Sequence, residues 1–304
     1  RTQRTASSRS NRLAASIIGV ETDRALPRPA ERKALVGLAT AEPPAGARAT
    51  GDTELRETPA AIEVTGISSA PDASGPALQS VSLRIARGEI LGIAGVEGNG
   101  QRQLVEALAG VATRVQGSIR LDGKEIGTLP LRRRRAAGLR IIPFERNVEG
   151  LSLASALWEN VSIRQLLSRN AWRFVAPSAF RQLSHEALTK WSVRFASVDQ
   201  PAMSLSGGNA QKVILAREIT GDARFIVAAQ PTRGLDIAAT AFVWEALRSA
   251  RDRGCAILLI SSDLDELFDI CDRVAVMYAG RIVSEFAPPF DLNSIGVAMT
   301  GAGT

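Results

Sequence analysis

Residues 89–109 read EILGIAGVEGNGQRQLVEALA, and this stretch decides the fold. Glu89 to Ala94 forms a short apolar strand that runs into Gly95, Gly98 and Gly100, and Gln101 to Ala109 then places Leu104, Val105 and Leu108 on one helical face. Strand, glycine turn and helix in this order open an α/β domain with a largely parallel sheet. The glycine spacing is that of GxxGxGK followed by Ser or Thr, in which backbone N–H groups approach phosphate oxygens at a helix N-terminus. Both chemical residues of that pattern are absent. Gln101 stands where lysine would reach the β- and γ-phosphates, and Arg102 stands where a hydroxyl would ligate Mg²⁺. Lysine is missing everywhere between Lys33 and Lys124, so no shift of alignment restores it. Taken alone, the loop reads equally well as a tight structural turn.

Working outward, Gly117 to Ile126 reads as a hairpin, with Ile119 and Leu121 alternating and Asp122-Gly123 supplying positive φ at the turn. Further strands are expected at Phe225 to Ala228, Cys255 to Ile260 and Val274 to Tyr278. The stretch from about 150 to 205 is mostly helical and carries Trp158, Trp172, Trp191 and the single histidine, His185. Order is expected from about Ile62, because residues 25–60 are rich in Pro, Ala, Gly, Glu and Arg without apolar periodicity and read as a linker. Before it, Arg12 to Gly19 and, at the far end, Ile295 to Gly301 both read as a short apolar helix stopped by glycine. Residues 1–24 are therefore read as the tail of a preceding copy of the same domain, and a start at Arg1 rather than Met suits a chain cut from something longer.

Composition narrows the class. A chain of 304 residues with 45% hydrophobic and 22% charged residues can bury a core, and its size excludes a disulfide-stapled miniprotein. The excess of 37 basic over 31 acidic residues gives +6, and Arg rather than Lys dominates, so a polyanion-binding surface is not implied. Cys255 and Cys271, placed in a buried strand and at a helix end, argue against a disulfide framework and for a reducing compartment. No apolar run approaches the roughly 20 residues of a membrane helix. Leu13 to Val20, after the early arginines, imitates a signal peptide but is short and lacks a convincing cleavage site.

The motif Leu205-Ser206-Gly207-Gly208-Asn209-Ala210-Gln211-Lys212, followed by helical Val213, Ile214 and Ala216, resembles the signature of the ATP-binding-cassette family, and within it the LSGGNxQK form of simple-sugar and nucleoside importers. The other landmarks stand in the order that family has them. Phe225 to Asp236 occupies its Walker B and D-loop stretch, with Ala229 in place of the Mg²⁺-side Asp, Gln230 in place of the Glu that polarises water, and Gly234, Leu235 and Asp236 as the D-loop. Ser262 takes the place of the switch histidine, while His185 lies upstream of the signature and is read as a surface or packing residue. Ile142-Pro-Phe144-Glu145-Arg146 is similar to the PEDR form of the Q-loop found in second cassettes, with Phe144 a departure from it. No aromatic residue lies between Ile62 and Leu91, where the family stacks adenine.

The resemblance covers residues 62–304 and implies a P-loop ATPase domain at 61–304, with an antiparallel β-subdomain and a helical subdomain at about 150–215. It implies nucleotide-binding positions at Gly95, Gly98, Asn99, Gly100, Gln101, Arg102 and Glu145, and signature positions at Leu205, Ser206, Gly207, Gly208, Asn209 and Gln211. A lost charge-assisted phosphate contact forfeits roughly 1.5–3 kcal/mol, and a lost base or water-orienting group costs about 10²–10⁴ in rate. The site on this chain's own glycine loop, with Gln230 and Ser262 at the catalytic positions, is therefore expected to show little or no ATPase activity. Arg102 leaves open whether it binds nucleotide, since it replaces charge but not metal ligation. The implied role is to complete, through the signature, an ATP site on a preceding or second cassette, where Mg²⁺ is expected rather than here. Transmembrane permease subunits, and through them a substrate-binding protein, are the implied partners, at the cytoplasmic face of the cell membrane. The competing reading is a regulatory or nucleic-acid-associated cassette protein.

Three clusters have plainer explanations. Arg132 to Arg135 read as a solvated helix face rather than an RNA or lipid contact. Asp263, Asp265, Glu266, Asp269 and Asp272 read as the capping and first-turn acids of a helix rather than a metal site. The tryptophans read as packing in the helical subdomain.

Overall fold

The computed structural model describes residues 60–70, 75–112, 114–168 and 176–301. The expected tail at 1–24 and all but the last residue of the expected linker at 25–60 lie outside the described residues, as does Trp172. The chain proceeds through β1 (Ala60–Ser68), β2 (Val81–Ala86), β3 (Ile90–Ala94), α1 (Gln101–Ala109), β4 (Gln116–Leu121), β5 (Lys124–Glu125), α2 (Leu131–Ala136) and β6 (Leu139–Ile142). Three helices follow, α3 (Leu157–Ser168), α4 (Pro177–Lys190) and α5 (Gly207–Glu218). The rest alternates as β7 (Phe225–Ala229), α6 (Ile237–Asp252), β8 (Ala256–Ile260), α7 (Leu264–Ile270), β9 (Arg273–Tyr278), β10 (Arg281–Phe286) and α8 (Leu292–Met299).

Two sheets result. One is antiparallel in the order β2-β1-β4-β5, its hairpin turning through Asp122 and Gly123 at φ 49° and 75° as the sequence predicts. The other has the order β10-β9-β3-β8-β7-β6, parallel throughout except for β10 at its edge. Its central strands are apolar on both faces, and period-two alternation sorts them between two cores. Leu91, Ile93, Leu258 and Ile260 face α1 and the antiparallel sheet. Ile90, Ala94, Ile257 and Leu259 face Val213 and Ile214 of α5, Leu247 of α6 and Leu267 of α7. The loops after β3, β6, β7 and β8 all leave from the carboxyl ends of parallel strands, the edge of an α/β sheet where ligands are taken.

The structure corrects the reading of the arginine run. Arg132 and Arg133 are exposed, but Arg134 is 3% exposed and donates to the carbonyls of Ala107 (2.6 Å), Leu108 (2.8 Å) and Leu129 (2.7 Å), capping the C-terminus of α1. Gly110 leaves room for this guanidinium, since a Cβ there would come within 2.6 Å of Arg134 Nε. The acidic run behaves as expected at its start. Asp263 caps α7 by accepting from the N–H groups of Asp265 and Glu266. His185 is exposed and meets Phe195 edge-on, and the free thiols of Cys255 and Cys271 are buried.

A second arginine group ties β6 to the turn after α5. Arg140, 1% exposed, donates to Asp222, which also pairs with Arg164 at 3.5 Å and accepts from Thr220. Burial alone would raise the Asp222 carboxyl, but the Thr220 hydroxyl and the two guanidiniums outweigh it and hold it at about 2, below its ordinary 3.8. A depressed carboxylate stabilises the fold above its unfolded-state value and loses that contribution as pH falls through the folded one. Asp222→Asn should therefore unfold at lower urea than the wild type at neutral pH, the two midpoints converging between pH 3.8 and about 2. A gap that stays constant through that window would assign the effect to something other than charge.

Candidate functional site

The glycine loop is shaped by backbone constraints and then closed by its own side chains. Gly95, Gly98 and Gly100 have φ of 156°, 90° and 110°. A Cβ at Gly95 would lie 2.5 Å from the Met277 carbonyl, and one at Gly100 would lie 3.0 Å from Gly280 Cα, so the two glycines admit the end of β9 and the turn after it. Asn99 fastens that contact, its backbone and side-chain oxygens accepting from the N–H groups of Gly280 (2.8 Å) and Ala279 (2.9 Å). Gly100 caps α1 without a side-chain hydrogen bond, leaving the helix N-terminus facing the loop.

Gln101 does not reach outward. It is 6% exposed and folds back, Oε1 accepting from the Asn99 N–H at 3.0 Å while Nε2 donates to the Val96 carbonyl at 3.1 Å. A backbone donor that the loop would offer a phosphate is thus already satisfied from within. Arg102 is engaged as well, its guanidinium 4.9 Å over the Phe144 ring and ion-paired with Glu149.

The neighbouring strand ends complete a cleft of about 310 Å³, lined by Gly95, Gly98, Gln101, Arg102, Glu145 and Gln230 among others. Ala229 ends β7 fully buried, and Gln230 follows at φ 49° with its Nε2 donating to Ser262 Oγ at 3.1 Å. The residues at the two expected catalytic positions therefore satisfy each other. Arg233 crosses the cleft, 3.4 Å from Glu97 of the glycine loop and 3.5 Å from Glu145 after β6. With alanine at 229, glutamine at 230 and arginine at 102, these residues do not fit Mg²⁺, which takes carboxylate and hydroxyl oxygens.

The signature is arranged differently. Ser206 is exposed and caps α5, its Oγ accepting from the Asn209 N–H and, at 3.1 Å, from Asn209 Nδ2. Asn209 in turn accepts from the Arg194 N–H at 2.9 Å, and Lys212 donates to the Ser192 carbonyl at 3.0 Å while lying over Phe242. Leu205 packs inward and Gln211 is buried, so both support the motif rather than face a ligand. Gly208 allows close approach of α6, a Cβ there meeting Ala239 Cβ at 3.2 Å. Gly234 turns the chain at φ 68°, Leu235 packs inward, and Asp236 caps α6 by accepting from the Ala239 N–H at 2.7 Å. Not one residue from Leu205 to Gln211 lines the cleft at the glycine loop.

A sequence profile of the ABC transporter family matches residues 78–233. The chain belongs to the ABC transporter family. Among curated relatives of this ABC cassette is the guanosine import ATP-binding protein NupO of Bacillus subtilis, 37% identical over 74% of the chain and 45% of the relative. The glucose import ATP-binding protein TsgD13 of Haloferax volcanii is 37% identical over 80% of the chain and 45% of the relative. The ribose import ATP-binding protein RbsA 1 of Rhizobium johnstonii is 36% identical over 79% of the chain and 48% of the relative. The cassette thus spans about half the length of these relatives. An ATP-binding subunit of an ABC transporter shares its fold, with a TM-score of 0.63 and 20% identity over 79% of the cassette and 99% of that chain. So does a dimeric ATP-binding cassette in a post-hydrolysis state with ADP and Pi, with a TM-score of 0.63 and 19% identity over 76% of the cassette and 100% of that chain.

The sequence reading missed several contacts that the cassette builds. Arg233 with Glu97 and Glu145, Arg102 with Glu149, and Gln230 with Ser262 all join separate loops, and no local spacing announces them. Glu266 is also more than a first-turn acid. It is 1% exposed, accepts from Thr232 (2.9 Å) and Trp244 (2.8 Å), and burial raises its carboxyl against those hydrogen bonds.

Proposed function

We propose that this cassette is an ATP-binding component of an importer for nucleosides or simple sugars, and that it works by lending its signature to a second cassette whose glycine loop holds Mg²⁺-ATP. The observation that carries this reading is the contrast between the two motifs. Ser206 is exposed, the first turn of α5 is half-buried, and both lie outside the cassette's own cleft, whereas Gln101 occupies its own loop. A helix N-terminus with an exposed hydroxyl and glycine amides stabilises a terminal phosphate brought to it by another domain. The cassette's own loop, without lysine, Mg²⁺ ligands or a water-polarising acid, hydrolyses little or no ATP, whether or not it still binds nucleotide. Residues 1–24 are read as the tail of a preceding cassette, 25–60 as the linker, and 61–304 as the ATPase domain with a helical subdomain at about 150–215.

The solute class rests on the names of the relatives, which import guanosine, glucose and ribose. No helix among the described residues is long and apolar enough to cross a membrane. The relatives' names, as ATP-binding proteins for import, support permease subunits that supply the pore, with the cassette against them at the cytoplasmic face. A substrate-binding protein would act on the permease from the other side. Combining the chain with a hydrolysis-competent cassette of its transporter should raise ATP turnover at least about tenfold over that of either alone. Turnover that is independent of this chain would overturn the proposal.

A further inference from the structure

Arg146 closes the stretch read as the Q-loop, yet its guanidinium lies between two other motifs, the signature and the turn Arg233–Asp236. It opens the helical turn Arg146–Gly150 after β6, whose backbone is fixed by Glu149 and Gly150 N–H groups donating to the Glu145 carbonyl. That turn is pressed onto α5, because a Cβ on Gly150 would reach Ile214 Cδ1 at 2.6 Å. From this anchored position, one terminal nitrogen of Arg146 donates to the Arg233 carbonyl at 2.7 Å. The other lies 3.0 Å from where Gly207 would carry a Cβ and 3.6 Å from the same point on Gly234. The absence of a side chain at 207 lets the guanidinium rest close to the first residue of the signature helix, and a Cβ there would make it give way by a few tenths of an ångström. The Nε is buried without a hydrogen-bond partner, so the group is placed by geometry and not by satisfying every donor.

We infer that Arg146 is a positioning residue, a strut that holds the signature at the N-terminus of α5 and the turn Arg233–Asp236 in fixed relation to each other. The inference rests on the proposed signature role. Its consequence is that Ser206, Gly207 and Asp236 meet the partner's nucleotide as one preset surface. A planar guanidinium can span both contacts, whereas an ammonium on a flexible stem reaches one of them.

The test uses the assembled two-cassette ATPase, with Arg146→Ala, Arg146→Lys and, as a control on the signature itself, Gly207→Trp. Arg146→Ala is expected to lower kcat about tenfold while KM for ATP, set by the partner's loop, moves less than about twofold. Millimolar guanidinium should recover part of the loss in Arg146→Ala and none in Gly207→Trp. Arg146→Lys, which keeps the charge and stem and guards against misfolding, should fold normally and lose about fivefold in kcat. Full kcat in both arginine variants, with Gly207→Trp inactive, would overturn the inference and leave the signature reading standing. A loss in Arg146→Ala that guanidinium does not relieve would mark a folding role and overturn it too. Full turnover in Gly207→Trp would overturn the signature reading and this inference with it.

Discussion

Replacing Gly207 with tryptophan is expected to reduce ATP turnover of the two-cassette assembly by at least about 10²-fold, the scale of losing a preorganised donor to a developing anion. Gly207 is the first residue of α5, half-buried and without positive φ, so its backbone accepts a side chain and the fold should persist. What changes is the surface. An indole at this position would cover Ser206 Oγ and the helix N-terminus and would displace the Arg146 guanidinium from its 3.0 Å approach. Steady-state turnover checks the effect, with an unchanged circular dichroism melt as the control for folding. Unchanged turnover would remove the signature from the mechanism.

Glu218→Ala is expected to cost about 3 kcal/mol or more of stability, which is a large part of the roughly 5–15 kcal/mol that holds a domain folded. Glu218 closes α5 with its side chain fully buried, pairing with Arg135 at 3.0 Å and Arg217 at 2.8 Å. Removing it leaves Arg217, whose own side chain is 9% exposed, without its carboxylate partner and, among the described residues, with only the Asn160 carbonyl, at 3.4 Å, to accept from it. Glu218→Gln should lose less, since the amide oxygen still accepts from one guanidinium. Urea unfolding of both variants measures the difference, and equal midpoints for Glu218→Ala and the wild type would show that the arginines find other partners.

How much of this was legible in the sequence depends on whether the determining contacts are local. The unit from β3 through the glycine loop to α1 could be read residue by residue, because strand, turn and helix signals lie within 21 consecutive positions. The hairpin at Asp122-Gly123 and the glycine stop of α8 at Gly301, φ 73°, were legible for the same reason. Strand β6 was not read, since its four residues include Arg140, and a fully buried arginine inverts the apolar pattern on which such readings rest. Strand β10 carries no clear alternation because, at the open edge of the sheet, none of its residues is fully buried. At the site, the absence of Lys, Asp, Glu and His from the expected positions was visible. Where the substitutes point was not, because Gln101 turns onto Val96 and Gln230 onto Ser262 through contacts set only by folding. Arg134 shows the same limit, since four consecutive arginines carry no mark of which one caps α1.

The proposed division of labour, with the loop of this cassette closed and its signature open, is tested most directly by counting Mg²⁺-ATP in the assembled ATPase with hydrolysis blocked in the partner cassette. Equilibrium titration should give one tightly held, Mg²⁺-dependent nucleotide per pair of cassettes. Two equivalent Mg²⁺-dependent sites per pair would contradict the account, because the second could only be built on Gln101, Arg102 and Ala229.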